Sequence, residues 1–244
     1  MTPRRFLPGL LLVVAAAACS FQNVQCGLPS SPPDEPVPAE VADRGLPAGA
    51  EVVGIGFLGD SLTAGFGLLT EEAYPALIQQ LFLDEGYPEV TVINAGASGD
   101  TTAGGLRRIE TLFEPHVRII VVALGGNDAL RGLTLTQTRE NLAAIIDKAL
   151  SAGRDVLVAG MQAPTNLGPD YQEGFREIFL SLAGRYRGRI EMVPFLLEGV
   201  AGDPALNQPD GIHPNAQGAR VIADLLYPRL RVLVDLNLGG GGGA

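Results

Sequence analysis

The chain has 244 residues, 46% of them hydrophobic, with a formal net charge of -10 and a pI near 4.7. That is enough apolar chain for one folded domain of about 180–200 residues, and the acidic balance, with Lys148 the single lysine, argues against nucleic acid as a partner, because such binding rests on cations at phosphates. Cys19 and Cys26 both lie near the N-terminus, which argues against a disulfide framework or a zinc site in the folded part, and the imidazoles are limited to His116 and His213.

At the N-terminus Arg4 and Arg5 precede the apolar run FLPGLLLVVAAAA, which ends on small residues. At about 13 residues it is shorter than the ~20 that cross a bilayer, so residues 1–18 read as a secretory leader. Cys19 directly follows a run of four alanines and resembles the cysteine of a bacterial lipobox, although leucine is more usual at the place of Ala16. The resemblance implies that Cys19 is lipidated and anchors a periplasmic or cell-surface protein to a membrane; plain secretion is the alternative. Residues 19–50, with SSPPDEPVPAE at their centre, have linker composition, too polar and proline-rich to form a core.

From residue 51 the pattern alternates. Short β-branched runs at 52–58, 90–94, 118–124, 155–160 and 190–194 read as buried parallel strands. Segments with helical spacing separate them, at 71–86, 101–114, 134–152 and 170–187, and a last one covers about 215–234. Asp100-Thr101 and Thr134 are candidate caps, and Gly86 and Gly153 candidate stops. Strand and helix alternate five times, which predicts a three-layer α/β/α domain over 51–235 with a mostly parallel five-stranded sheet, followed by a flexible glycine-rich tail at 236–244.

Ligands of an open parallel sheet bind outside the carboxyl ends of its strands. The segments that follow the predicted strands bring Gly59, Asp60 and Ser61, then Gly99 within ASGDTT, then Asn127 and Asp128 within GGND, and finally Asp210 and His213 within QPDGIHPN. These residue types suit acyl transfer. A serine hydroxyl needs an imidazole to take its proton, and the imidazole needs a carboxylate to hold its tautomer. Asp210 and His213 are three apart on a turn, and the backbone N–H groups of Ser61 and Gly99 with the Asn127 amide are candidate oxyanion donors.

GDSLTAG, SGDTT, GGND and DGIHPN, in this order, resemble the four blocks of the GDSL or SGNH hydrolases, over about residues 51–230, with the branch of bacterial arylesterases, acyl-CoA thioesterases and lysophospholipases the most similar. The resemblance implies a flavodoxin-like strand order 2-1-3-4-5 and hydrolysis of carboxylic esters or thioesters without metal or cofactor. It implies Ser61 as nucleophile, His213 as general base then acid, Asp210 as its orienter, and Ser61, Gly99 and Asn127 as the oxyanion hole. The GxSxG elbow of the larger α/β-hydrolases is missing.

The substrates expected are small acyl esters: aryl esters, acyl-CoA and lysophospholipids. Phe66, Leu68, Leu69, Leu167 and Tyr171, on two apolar loops, are candidate pocket residues. Deacetylation of a cell-wall or secreted polysaccharide, or a non-catalytic binding module on the same fold, are the rival functions. A metal held by Asp60, Asp128, Asp210 and His213 is disfavoured because the rim offers one imidazole and a well-placed serine. Asp60 is expected to hold its turn, Asp128 to cap or brace a loop, and His116 to lie at the amino end of the sheet.

Overall fold

A computed structural model describes residues 51–239. The leader, Cys19 and the linker up to residue 50 lie outside the described residues, as do the last five residues of the expected tail.

The described chain begins with β1 (Val53–Gly59), followed by the short helix α1 (Ser61–Ala64) and, after a single 3-10 turn, α2 (Tyr74–Asp84). β2 (Val90–Gly96) leads to α3 (Thr102–Arg108), which runs on into a 3-10 turn, and β3 (Val117–Ala123) to the short α4 (Gly126–Leu130) and the long α5 (Leu135–Ser151). β4 (Asp155–Ala159), α6 (Pro169–Arg185), β5 (Glu191–Val193) and α7 (Ala216–Gly239) complete it. The five strands are parallel in the order β2-β1-β3-β4-β5. This is the order that the resemblance to the GDSL or SGNH hydrolases implies.

β1 is buried at all seven positions, so the sheet is covered on both faces. One group of helices pairs α2 with α7, which also touches β1 and β3; the other packs α3 on α5, and α5 on α6 and β4. The core lies between, with Phe57, Ile55, Ile119 and Ile120 of the central strands fully buried.

Local chemistry sets the element ends. The Thr101 hydroxyl accepts from Gly104 N–H to cap α3, and the Thr134 hydroxyl accepts from Gln137 N–H to cap α5. Gly86 and Gly153, at φ 84° and 72°, follow the ends of α2 and α5. The last helix runs to Gly239, past the boundary expected at 235. Its final turn is tied down: Asn237 Nδ2 donates to Asp155 Oδ2 at 2.8 Å, and Leu238 packs on the core. Residues 236–239 therefore belong to the domain, because one amide and one leucine hold a turn that composition assigned to the tail.

Candidate active site

Ladder register aligns the strand ends. Gly59 pairs with Gly96 and Ala123, and Ala159 with Val193, so the segments that follow leave the sheet along one edge.

Asp60 turns the chain out of β1. Its Oδ1 accepts from Leu62 N–H at 3.0 Å and caps α1, whose first residue is Ser61. A helix offers its first amides no internal partner, so Ser61 N–H is available to a ligand. Asp60 is 2% exposed, and its Oδ2 accepts from Asn127 Nδ2 at 3.3 Å. Burial raises its pKa to about 6, against hydrogen bonds from Leu62 and Asn127 that lower it.

His213 arrives by a long loop that is braced as a small hairpin. Asn207 bridges Pro214, Gln208 N–H donates to His213 O at 2.7 Å, and Asn215 N–H donates to Leu206 O at 2.9 Å. Gln208 Nε2 also donates to Phe66 O, which ties this loop to the one behind Ser61. Asn215 Oδ1 then accepts from Gln217 and Gly218 N–H to start α7.

Within this frame His213 Nε2 lies 2.9 Å from Ser61 Oγ, and His213 Nδ1 lies 2.7 Å from Asp210 Oδ2. Asp210 Oδ1 accepts from the backbone N–H groups of Ile212 and His213 at 2.9 and 3.0 Å. Those bonds, the His213 backbone first and its ring second, hold the Asp210 pKa down to about 2. A permanent carboxylate at Nδ1 places the ring proton there and leaves Nε2 to accept from the serine. The Phe66 ring lies over the imidazole, with centroids 4.7 Å apart and planes tilted by 38°.

A cleft of about 490 Å³ opens at this point, and Ser61, Gly99, Asn127 and His213 all line it. Gly99 sits at φ 78°, a left-handed conformation that a side chain rarely adopts. Asp128 is turned away and 2% exposed: Oδ2 accepts from Thr102 N–H at 2.9 Å, and Oδ1 accepts from the hydroxyls of Thr102 at 2.5 Å and Thr138 at 3.2 Å. It braces α4 against α3 and α5. His116 precedes β3 at the amino end, 3.7 Å from Glu114. Among the described residues no group of three or more His, Cys, Asp and Glu side chains is arranged to hold a metal ion.

The cleft walls differ from those expected. Phe66 lines the opening, half exposed, but the other four candidates do not line it. Leu68 packs on the core beside a small recess with Tyr74 and Pro214, and Leu69 points outward at 62% exposure. Leu167 belongs to a 3-10 turn near Gly132. Tyr171 donates its hydroxyl to Leu133 O at 2.8 Å and stacks near Phe175. The walls come instead from Met161, Ala163 and Pro164 after β4 and from Phe195 and Leu197 after β5, with Leu130 and Ile212 at the rim. Irregular loops have no period, so composition alone did not reveal which apolar side chains face inward. For Phe195 and Leu197 the signal was position: they follow a strand end directly.

Residues 57–221 match the model of the GDSL-like Lipase/Acylhydrolase family. The chain is 41% identical to "Esterase TesA" of Pseudomonas aeruginosa over 178 residues, which are 72% of this chain and 87% of that protein. It is 37% identical to "Thioesterase 1/protease 1/lysophospholipase L1" of Escherichia coli K12 over 179 residues, 73% of this chain and 83% of that one. The solved structure of the psychrotrophic esterase EstA from Pseudoalteromonas, inhibited by monoethylphosphonate, superposes with a TM-score of 0.68 at 31% identity, covering 75% of this chain and 98% of that one. With the sheet order, the aligned strand ends and the serine–imidazole–carboxylate chain, these matches establish that the chain belongs to the GDSL-like lipase/acylhydrolase family.

Proposed function

We propose that this ester hydrolase works through Ser61, His213 and Asp210, with the N–H groups of Ser61 and Gly99 and the Asn127 amide as its oxyanion hole. The observation that carries the proposal is the continuous hydrogen-bonded chain from Ser61 Oγ through His213 to Asp210, opening on the cleft. Ser61 Oγ attacks the acyl carbon while His213 Nε2 takes its proton. The carbonyl oxygen gains negative charge, which the three donors meet. Collapse expels the alcohol or thiol, protonated by His213, and leaves the acyl group on Ser61. Water, deprotonated by the same nitrogen, then releases the acid and regenerates the serine.

The apolar walls favour aryl and acyl-chain esters over a polysaccharide acetyl group. Aryl esters, acyl thioesters and lysophospholipids are the substrate classes proposed, with overlap, because one methylene changes binding in such a pocket by only ~1–3 kcal/mol. The leader and Cys19 support attachment of the domain to a membrane by a lipidated N-terminus, with residues 19–50 as tether.

Ser61→Ala and His213→Ala are each expected to abolish nearly all hydrolysis of p-nitrophenyl esters with the fold intact, and His116→Ala to leave it unchanged. An active His213→Ala beside an inactive His116→Ala overturns the assignment. An organophosphonate is expected to label one serine, Ser61.

A further inference from the structure

The oxyanion hole proposed above takes its two backbone donors from different segments, Ser61 after β1 and Gly99 after β2. Parallel pairing of these strands ends at Gly59 and Gly96, before either donor is reached. The sheet therefore does not by itself set the spacing of the two N–H groups.

Arg108, the last residue of α3, spans that gap. Its Nη2 donates to Gly59 O at 2.7 Å, its Nη1 to Ala95 O at 2.5 Å, and its Nε to Asp100 Oδ2 at 2.7 Å. Gly59 lies two residues before Ser61, Ala95 lies in the neighbouring strand, and Asp100 directly follows Gly99. Gly59 O also accepts from Ala97 N–H at 3.0 Å, and Asp100 N–H donates to Ala97 O at 3.0 Å. Asp100 can reach Arg108 because position 104 is glycine: a Cβ there would lie 1.5 Å from Asp100 Oδ1. The ion pair is largely sheltered, with side chains 25% and 14% exposed.

Each nitrogen of one planar group thus takes an acceptor on a different segment. A guanidinium holds its donors in a fixed fork, whereas an ammonium is a point charge on a flexible stem. We infer that Arg108 is a positioning residue that holds the Ser61 and Gly99 N–H groups in the register an oxyanion requires. It contributes to the charged transition state through these two amides, without touching substrate. Loss of the fork is expected to lower kcat and leave KM nearly unchanged, because preorganised donors matter most when the oxygen carries charge. This inference rests on the reading of Ser61 and Gly99 as oxyanion donors.

The experiment compares Arg108→Lys, Arg108→Gln and Asp100→Asn with wild type, each verified as folded by circular dichroism and thermal melting. Kinetics on a short aryl ester are measured beside inhibition by an acyl trifluoromethyl ketone, whose carbon accepts Ser61 Oγ and whose oxygen then becomes an oxyanion. The expected result is a fall in kcat of about 10- to 100-fold for both Arg108 variants, smaller for Asp100→Asn, with KM within about twofold. The ketone should weaken by the same factor in each variant. Asp100→Asn retains the side-chain shape, so it keeps the test informative where an Arg108 variant does not fold. Folded variants that melt earlier but keep wild-type kcat and ketone affinity overturn the inference and show a purely structural brace. Ser61→Ala, measured in parallel, separates the two claims: if it stays active, the mechanism itself fails, whatever Arg108 does.

Discussion

Asp60 links the turn to the chemistry. One of its oxygens caps α1 and the other accepts from the Asn127 amide, so the carboxylate selects the rotamer that presents nitrogen rather than oxygen to the cleft. Asn127→Ala is expected to lower kcat by roughly 10²–10³ with little change in KM, measured on a short aryl ester. Asp60→Asn retains an oxygen for the Leu62 cap but turns an NH2 toward Asn127, which then turns its own oxygen to meet it. Its loss of kcat should approach that of Asn127→Ala, and adding it to Asn127→Ala should cost little more. The same carboxylate has a stability signature. Its folded pKa, near 6, lies above the unfolded 3.8, so the folded state holds a proton that the unfolded state has lost between those values. Stability from this group is greatest below about pH 4 and falls as pH rises through about 6. Denaturant titrations should therefore show Asp60→Asn gaining on wild type by about 2 kcal/mol between pH 4 and pH 7. Asp210 has the opposite sign: its folded pKa of about 2 lies below the unfolded 3.8, so its contribution is whole above about pH 4 and is lost as pH falls through about 2, and Asp210 stays ionised wherever the enzyme is assayed.

The two short helices, α1 and α4, each place one site residue just beyond a strand. With four and five residues they are too short to be stable alone or to show a period, and the sequence pattern did not reveal them. Tertiary bonds hold α4. Asp128 accepts from Thr102 twice and from Thr138, joining α4 to α3 and α5. Asp128→Asn replaces one acceptor with a donor that faces donors, and should destabilise the fold by about 1–3 kcal/mol, read as a lowered midpoint in urea. The long elements were legible because they repeat. The runs at 90–94 and 155–160 became β2 and β4, and Thr101 and Thr134 cap the helices they were expected to cap. Periodicity did not mark the second wall of the cleft, since Phe195 and Leu197 lie in a turn, and only their place just past a strand end points to them.

At the scale of the molecule, charge bears on substrate choice. The loops that leave the strand ends carry Glu71, Glu72, Glu198, Asp203 and Asp210, against Arg131 alone among their described residues, on a chain of net charge -10. Arg131 is already engaged, its Nη2 donating to Gly99 O at 2.7 Å. Phosphate-rich leaving groups are usually met by several Arg or Lys side chains. An acyl-CoA should therefore be cleaved with a kcat/KM at least about tenfold below that of a neutral thioester bearing the same acyl chain at low ionic strength. The gap should narrow as salt shortens the screening length from about 30 to about 8 Å. Equal rates at low salt would show that the acidic rim does not select. Removal of residues 1–48 is a separate test of organisation: the remaining chain should fold and retain full esterase activity, since the site lies wholly within residues 60–213.

The sequence by itself determined the alternation of strand and helix along the chain. Alternating β-branched runs and helical segments require a parallel sheet with helices on both faces, and the polar residues after each run follow from where strands end. It also named Ser61, Asp210 and His213 as a candidate set, because two of them share a turn and His213 is the imidazole at the right end of the sheet. Only the tertiary structure decided the contacts between segments distant in the chain. The 2.9 Å approach of His213 to Ser61, Asp60 against Asn127, the three-way grip of Arg108 and the apolar walls join residues whose side-chain directions are set by loops. Loop direction depends on packing and backbone bonds made after the sheet forms, and no local period records it.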